Sequence, residues 1–336
     1  MSQLPPLPTA CIPATFDAIR RAAGVLRAGG LVAFPTETVY GLGAAAENSQ
    51  AVRAMFAAKG RPANHPVIVH LADVSQVDEW ALEVSGQVRA LAAAFWPGPM
   101  TLVVRRTRRA SDLVTGGLDA VGLRVPGHPI AQALLQEFGG AVAAPSANRF
   151  GQVSPTLARH VMEELAGRVD LVLDGGPCTV GLESTIIDLT GPQPAILRPG
   201  GIAAEQIEAV TGPVLGGRND QPRVSGSLPS HYAPRARIEV VRADEVVARA
   251  STLAKTGARV AVLGPSTLAV PEGIILLALA DDLAAAAKSL FETLRRVDEL
   301  GCDVGVTSLP AARGLGVAIA DRLIKAAGPR YDDPIM

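Results

Sequence analysis

The stretch from Phe34 to Gly43, FPTETVYGLG, gives the first indications of the fold and of a binding site. A short apolar run over residues 30–34 precedes it and is typical of a buried strand, which Pro35 ends. Small hydroxyls at a strand end, followed by glycines, suit a site where the backbone closely approaches a polar ligand. A plain strand and turn would have the same spacing, so the rest of the sequence must decide.

The composition limits the classes of protein that the chain can belong to. With 336 residues it favours two domains, and a hydrophobic content of 48% supports a sizeable core. A net charge of −1 and an aromatic content of 4% argue against a dedicated nucleic-acid binder. The three cysteines are far apart, and no spacing indicates a disulfide framework or a metal site, so we predict no metal held by protein ligands. No signal peptide or membrane-length apolar tract is evident, and we expect a cytoplasmic protein with no membrane partner.

Strand and helix patterns alternate along the chain, which predicts an α/β fold in two parts. We expect a loose N-terminus over 1–13, a first domain over 14–210 and a second, small α/β domain over 237–336. Residues 211–236 are rich in Gly, Pro and Ser and read as a linker. The second domain has the proportions of a nucleotide-binding fold but lacks a GxGxxG fingerprint, so nothing supports a cofactor there.

Two cations, Lys59 and Arg61, flank Gly60 just past a predicted helix. Lys59 could complement the helix dipole while Gly60 forms a left-handed cap, which is a purely structural role. Alternatively, the two cations form a loop suited to a phosphate or a carboxylate. Both interpretations stay open on the sequence alone.

Further polar residues lie at predicted strand ends and helix starts. Ser146 and Asn148 follow a buried strand, which is where ligands bind in α/β sheets. Ser154 is expected to cap a helix that reaches residue 165, or to bind an anion at the same helix start. Arg124 and Arg198 lie in apolar runs and therefore need partners. For Arg124 the candidates are a substrate carboxylate or one of two carboxylates, namely Glu183 and Asp188.

Two further patterns bear on the kind of chemistry. The run of basic residues at 105–109 is either a solvated strand end or a weak RNA contact. The five histidines are scattered, and no nucleophile–histidine arrangement is indicated. The chemistry therefore points to positioning and charge stabilisation, as nucleotidyl transfer requires.

The opening motif is the first of seven in a fixed order. It is followed by KGRP at 59–62, FWPGPMT at 95–101, APSAN at 144–148, GLESTIIDL at 181–189, LRPG at 197–200 and HYAP at 231–234. Together these motifs resemble the threonylcarbamoyl-AMP synthase family, which has a YrdC-like domain, in its long two-domain form. The resemblance covers residues 30–234, and the tail is similar to the family's extra C-terminal domain. It implies a twisted mixed sheet with a concave, positive cavity, followed by a small Rossmann-like domain.

The resemblance also implies an activity and its residues. The family makes L-threonylcarbamoyl-adenylate and diphosphate from L-threonine, bicarbonate and ATP, for threonylcarbamoyl-adenosine in tRNA. Catalytic charge stabilisation would come from Lys59 and Arg61. Threonine would be held by Thr38, His70, Arg124 and Ser184, with the backbone of Ala144. ATP would be held by Arg61, His65, Ser146, Asn148, Ser154, Arg198 and Tyr232. His65 stands where many relatives have Asn, and the linker lacks the Lys-Tyr-Arg that many relatives carry before His-Tyr.

The resemblance leaves cofactor, partners and linker as expectations. Mg²⁺ would enter with the triphosphate, held mainly by phosphates, and the product would pass to a threonylcarbamoyl-transferase acting on tRNA. Two other functions are a carbamoyl-adenylating enzyme built on the same domain and a non-catalytic RNA-binding module. Tyr232 either folds with the linker over the ATP site or anchors the linker on the C-terminal domain.

Overall fold

The structure is a computed structural model that describes residues 9–216, 224, 226 and 231–328. Contacts divide the chain into two compact units. The first comprises the described parts of residues 1–150, 155–179 and 183–227. The second comprises the described parts of 151–154, 180–182 and 228–336, so two short segments that lie earlier in the chain belong to the second unit.

The first unit is built on a mixed sheet of ten strands. In chain order they are β1 (Ala10–Pro13), β2 (Val32–Phe34), β3 (Gly41–Ala45), β4 (Val69–His70), β5 (Met100–Arg105), β6 (Ala120–Arg124), β7 (Val142–Ala143), β8 (Leu171–Asp174), β9 (Thr185–Asp188) and β10 (Ala195–Arg198). Their order across the sheet is β1-β8-β2-β3-β7-β4-β6-β5-β9-β10. The pairs β1–β8, β2–β8, β4–β6 and β5–β9 are parallel and the others antiparallel.

Helices cover the sheet of the first unit. They are α1 (Phe16–Arg27), α2 (Ser49–Lys59), α3 (Val77–Trp80), α4 (Gly86–Phe95), α5 (Asp112–Thr115), α6 (Pro129–Phe138), α7 (Ala158–Leu165) and α8 (Ala204–Thr211), with a 3₁₀ turn at Val74–Gln76. One core cluster combines α1, α6, β2 and β8, and a larger one combines α2 and α4 with the opposite side chains of the central strands. Because side chains alternate along a strand, each central strand sends one set of residues into this larger core and the other set to the opposite face.

The second unit contains a parallel four-stranded sheet. Its strands are β11 (Arg237–Val241), β12 (Val260–Pro265), β13 (Ile275–Leu279) and β14 (Val304–Ser308), in the order β11-β14-β12-β13. Its helices are α9 (Val246–Ala254), α10 (Leu283–Glu299) and α11 (Leu315–Ala326), with a 3₁₀ turn at Ala243–Glu245. The mixed sheet, the parallel sheet and the helices confirm the predicted α/β fold.

The glycines of the opening motif serve the sheet itself. Phe34 pairs with Gly41 across the β2–β3 ladder, and the aromatic ring of Phe34 lies over both glycines. A Cβ at Gly43 would approach Cε1 of Phe34 to 2.9 Å, which is closer than packed carbon atoms tolerate. Gly43 therefore makes room for the buried ring of Phe34, whereas the two threonines and the glutamate occupy the turn between the strands.

Two local predictions are wrong. Residues 10–13 form β1, which pairs with β8, although we expected a loose segment there; residues 1–8 lie outside the described residues. Ser154 does not cap a helix, because α7 begins at Ala158 and its N-cap is Leu157.

Much of the predicted linker also lies outside the described residues, but Val224 packs on Val103 and Ile186 of the first unit. In the part of the chain that the structure describes, no helix is long and apolar enough to cross a membrane.

Candidate active site

A row of polar side chains crosses five neighbouring strands of the large sheet. His70 on β4 is the register partner of Arg124 on β6. The preceding residues, Val69 and Leu123, belong to the larger core, so His70 and Arg124 point to the opposite face. The row continues across the sheet with Thr101 on β5, Ser184 just before β9 and Arg198 at the end of β10. The fold thus brings together residues that are more than a hundred positions apart in sequence.

Arg124 is held by the turn that the opening motif forms. Its Nη2 donates to Oε1 of Glu37 at 2.6 Å and to Oγ1 of Thr38 at 3.0 Å, and its Nε donates to the carbonyl of Gly98 at 3.2 Å. The side chain is almost fully buried, so the carboxylate of Glu37 offsets a charge that would otherwise be costly. The two protein carboxylates that the sequence offered as candidates, Glu183 and Asp188, are not the partners of Arg124; Glu37 is.

The hydroxyl of Thr38 has a defined polarity. Thr36 donates its only hydroxyl proton to the carbonyl of Val39 at 2.6 Å. Thr38 must therefore donate in the 2.7 Å bond between the two hydroxyls, and it accepts from Arg124. Oγ1 of Thr38 keeps one lone pair, so it can accept a hydrogen bond from a ligand but has no proton left to donate.

His70 lies in the row as a neutral imidazole. Burial, and then the nearby cation of Arg124, lower the pKa of His70 to about 3. Its Nδ1 is buried and has no hydrogen-bond partner among the described residues. A buried nitrogen without a partner is costly, and a bound ligand that supplies one would remove that cost. The geometry therefore supports His70 as a ligand contact beside Arg124.

Ser184 and Arg198 form the other end of the row. The hydroxyl of Ser184 lies 2.7 Å from Oγ1 of Thr101. Arg198 donates to the carbonyl of Ser184 through Nε at 3.2 Å and Nη2 at 2.8 Å, and to its hydroxyl at 3.1 Å. Ser184, which is assigned to threonine, is therefore bonded directly to Arg198, which is assigned to ATP.

Lys59 is buried and bonded to the loop that carries Ser146 and Asn148. Its side chain is 2% exposed, and Nζ donates to the carbonyls of both residues. Burial, and then the cation of Arg61, lower the pKa of Lys59 well below its usual value. Gly60 ends α2 in the left-handed conformation, with φ of 67°, as the structural interpretation predicts. Lys59 thus braces the strand-end loop, and its catalytic role stays a prediction.

Three residues near this loop bear on the assigned ATP contacts. Nη2 of Arg61 donates to the carbonyl of Pro66 at 2.8 Å, and its guanidinium lies 5.8 Å from the ring centre of Phe150. His65 meets the same ring edge to face, with centroids 5.5 Å apart. Asn148 is buried and donates to the carbonyl of Arg149.

The backbone of Ala144, which is assigned to threonine, is held by a hydrogen bond. Its N–H donates to the carbonyl of Ile68 at 3.0 Å.

Two residues assigned to ATP belong to the second unit. Ser154 is fully buried there. Tyr232 is 1% exposed, packs on Phe291 with ring centroids 5.5 Å apart, and lies 5.0 Å below the guanidinium of Arg322. These contacts favour the interpretation of Tyr232 as an anchor, and its contact with ATP stays a prediction.

Sequence reasoning missed Glu37 and Thr101. Both lie inside motifs that we had quoted, but neither was assigned a role. Glu37 could have been noticed as a carboxylate between two threonines in a site that also requires an arginine. Thr101 alternates on β5 with the core residue Leu102, which the strand pattern alone would have revealed.

Comparisons with known proteins identify the family of the chain. A family model described as telomere recombination, which covers Sua5, YciO and YrdC, matches residues 24–200. A second model, described as the C-terminal domain of threonylcarbamoyl-AMP synthase, matches residues 202–328. Threonylcarbamoyl-AMP synthase from Pyrococcus abyssi is 42% identical, over 93% of this chain and 94% of the relative. The synthase from Bacillus subtilis is 40% identical, over 93% of each chain.

Solved structures extend the match to three dimensions. The crystal structure of P. abyssi Sua5 complexed with L-threonine superposes with a TM-score of 0.90 at 39% identity, over 95% of this chain and 98% of that one. A P. abyssi Sua5 structure with one His and one Tyr replaced by Ala gives the same TM-score at 38% identity, over 95% and 96%. The chain belongs to the threonylcarbamoyl-AMP synthase family, with its Sua5/YrdC domain and its Sua5 C-terminal domain.

Proposed function

We propose that this protein synthesises L-threonylcarbamoyl-adenylate and diphosphate from L-threonine, bicarbonate and ATP. The observation that carries the proposal is the row from His70 to Arg198, on the fold that P. abyssi Sua5 shares in its complex with L-threonine. Such a row offers a cation, neutral acceptors and hydroxyls to a small polar ligand, and a second cation next to it. The enzyme is a nucleotidyltransferase, and its product serves threonylcarbamoyl-adenosine modification of tRNA.

Threonine binds at the Arg124 end of the row. The guanidinium of Arg124 receives the carboxylate. Oγ1 of Thr38 can accept a hydrogen bond from the ligand, and Nδ1 of His70 gains the partner that it lacks among the described residues. Ser184 and the backbone of Ala144 complete this set.

ATP binds next to threonine, on the side of Arg198. Arg61 and Arg198 stabilise the charge that develops on the phosphates, and Lys59 supports them by holding the loop of Ser146 and Asn148. His65, Ser154 and Tyr232 are further contacts that the family motifs imply. Mg²⁺ enters as part of the Mg·ATP substrate. Among the described residues no group of three His, Cys, Asp or Glu side chains could hold a metal ion, so phosphates and water are its main ligands.

The chemistry then follows in two steps. Bound threonine loses its ammonium proton to bicarbonate or to solvent, and in the first step the neutral amine attacks carbon. Attack on carbon dioxide gives the carbamate and releases a second proton to solvent, whereas attack on bicarbonate gives the carbamate and water. A carbamate oxygen attacks the α-phosphorus of ATP, and diphosphate leaves with the electron pair of the broken P–O bond. The protein supplies orientation and charge stabilisation and forms no covalent intermediate.

The experiment that tests this function is diphosphate release from Mg·ATP and bicarbonate. We expect release to depend on L-threonine and to be slower with L-serine, which lacks the methyl group. It should be slower still with L-valine, because a site that pairs a hydroxyl rejects analogues without it. Equal rates with threonine and valine would contradict the assignment. Release that depends on carbamoyl phosphate would instead support the carbamoyl-adenylating alternative.

A contact with RNA is a second proposal, and it concerns the basic run at 105–109. Arg106 pairs with Asp112 at 2.6 Å, and Arg109 pairs with Glu47 and Glu79 and stacks on Trp80. Arg105 and Arg108 form no ion pair with the described residues, and they line an open cleft of about 600 Å³. These two arginines are suited to phosphates.

A double Arg105→Ala/Arg108→Ala variant tests the RNA contact. We expect weaker binding of tRNA with a smaller salt dependence, and unchanged diphosphate release. Arg89→Ala, which removes an exposed arginine paired with Asp78, is the matched control. Equal tRNA affinity of the double variant and the control would reject this contact.

The proposed role also implies a compartment and a partner. The enzyme works in the cytoplasm and passes its product to the transferase that modifies tRNA.

A further inference from the structure

Glu37 is fixed through both of its carboxylate oxygens. Oε1 accepts from Nη2 of Arg124 at 2.6 Å, and Oε2 accepts from the N–H of Gly127 at 3.0 Å. The residue is 8% exposed and lies in the turn between β2 and β3. A carboxylate that is held at both oxygens cannot rotate away when a ligand arrives, so its negative charge is a permanent part of the site.

The guanidinium of Arg124 has one nitrogen left for a ligand. Nη2 serves Glu37 and Thr38, and Nε serves the carbonyl of Gly98. Nη1 forms no hydrogen bond with the residues that the structure describes. Gly98 is itself fixed, because its N–H donates to the carbonyl of Val125 at 2.8 Å. A ligand carboxylate at Arg124 therefore binds through Nη1, while Glu37 stays on the adjacent nitrogen.

The charges at this end of the row cancel. The side chains of Arg124 and Glu37 are 5% and 10% exposed, so solvent screens their charges little. His70 is neutral, and Thr38 carries no charge. A ligand that brings only a carboxylate adds an uncompensated negative charge to this neutral pair. An α-amino acid brings an ammonium as well, and Oγ1 of Thr38, with its free lone pair next to Glu37, can accept from it.

We propose that Glu37 is a specificity-determining residue that makes the threonine site select zwitterionic amino acids over anions of the same shape. The inference rests on the proposed function, in which Arg124 receives the threonine carboxylate. Glu37 discriminates mainly by repulsion, since it penalises a ligand without an ammonium. The same repulsion keeps phosphate groups off Arg124, so ATP does not occupy the amino-acid site.

The experiment compares the affinity of the full-length protein for L-threonine and for (R)-3-hydroxybutanoate, which is threonine without its amino group. Calorimetric titration of both ligands gives a ratio of dissociation constants. In the wild-type protein we expect the anion to bind at least about tenfold more weakly. In Glu37→Gln, which keeps the size and removes the charge, we expect this ratio to fall at least about tenfold. Glu37→Asp keeps the charge, and its ratio should stay closer to that of the wild type.

Controls separate the possible failures. Glu47→Gln removes a half-exposed carboxylate that pairs with Arg109, and it should leave the ratio unchanged. If folded Glu37→Gln has the same ratio of dissociation constants as the wild type, the inference is overturned. A wild-type ratio near one also overturns it, and this outcome can be measured without any variant. Arg124→Ala tests the proposed function separately. If it binds threonine as the wild type does, the assignment of Arg124 is wrong; if it loses threonine while Glu37→Gln keeps the wild-type ratio, only the role of Glu37 is wrong.

Discussion

Lys59 combines two roles that the sequence presents as alternatives. Its position at the end of α2 suits a helix terminus, yet its ammonium reaches two carbonyls of the Ser146–Asn148 loop. Lys59 therefore links a helix end to a strand-end loop, and removing it disturbs both. Arg61, two residues later, bonds to Pro66 and is better placed to act on a ligand without supporting the loop.

Lys59→Met should lower stability as well as activity. Methionine fills the space but leaves two buried carbonyls without a donor. Each such carbonyl lowers the free energy of unfolding by up to about 3 kcal/mol. We expect a loss of this order in urea unfolding, together with weaker ATP binding. Arg61→Ala should reduce turnover more than stability, and serves as the comparison. Normal stability of Lys59→Met would show that the ammonium does not brace the loop.

His70 should make the fold sensitive to mild acid. The folded protein holds the pKa of His70 at about 3, whereas an unfolded histidine titrates near 6.5. As the pH falls below about 6.5, the unfolded chain takes up a proton that the folded protein refuses, so stability is lost. Above that pH the effect is absent. Between pH 7.5 and pH 5.0 this histidine should cost the folded state about 2 kcal/mol.

The measurement is urea unfolding of wild type and His70→Asn at both pH values. Asparagine cannot titrate, so the variant should lose about 2 kcal/mol less than the wild type over this range. Equal losses would mean that His70 is protonated in the folded state or that other groups carry the acid sensitivity.

At the scale of elements, a local signal predicted one boundary: Gly60 ends α2 in the left-handed conformation, as the glycine after Lys59 indicates. Elements that depend on distant partners were not predictable. β1 is short and ends in proline, and it is a strand only because β8, about 160 residues later, pairs with it. The same holds for the candidate site: its residues lie in the motifs or next to them, but the pairing of Arg124 with Glu37 is a product of the folded sheet.

Gly181 is an element-scale case in which the backbone needs room. It has φ of +77°, and a Cβ there would approach Cα of Lys288 on α10 to 2.4 Å. Both residues belong to the second unit. Gly176 has nearly the same φ, +79°, but open space around it. Alanine at either position is strained, and only at Gly181 does it also collide with a helix.

Gly176→Ala should therefore cost about 1–2 kcal/mol, which is the strain of the left-handed conformation. Gly181→Ala should cost about 1–3 kcal/mol more, because the helix backbone has to move. Thermal and urea unfolding of the two variants, compared at one pH, give the difference. If the two variants are equally stable, α10 does not pack on residue 181.

At the scale of the whole molecule, the two units are interleaved in sequence. The second unit includes residues 151–154 and 180–182, and its contacts explain why. Arg295 on α10 donates to the carbonyl of Val153, and the N–H of Ala233 donates to the carbonyl of Gly151 at 3.1 Å. Gly181 packs on the same helix. The second unit is thus completed by two short segments that lie earlier in the chain than the rest of it.

Tyr232 should matter to the stability of the second unit. Its ring is buried between Phe291 and Arg322, so Tyr232→Ala should cost about 3–5 kcal/mol, as for other large aromatic deletions. Tyr232→Phe retains the ring and should keep most of that stability. Hydrogen exchange of α10 and α11 in each variant is the measurement. If the alanine variant keeps full protection in these helices but loses ATP affinity, Tyr232 contacts the nucleotide and is not an anchor.

The interleaving has a consequence for the order of events on the ribosome. Val153 leaves the exit tunnel well before Arg295 has been translated. At about 5–20 residues per second, the time between the synthesis of these two residues is on the order of 10 s. During that time the nascent chain has made every strand of the large sheet, through Arg198. The carbonyls of Gly151 and Val153 still lack their donors on Ala233 and Arg295, and Gly181 lacks the helix that packs on it. These segments are therefore the places where a chaperone or a protease would first recognise an unfinished chain, and a pause in translation before α10 would prolong that exposure.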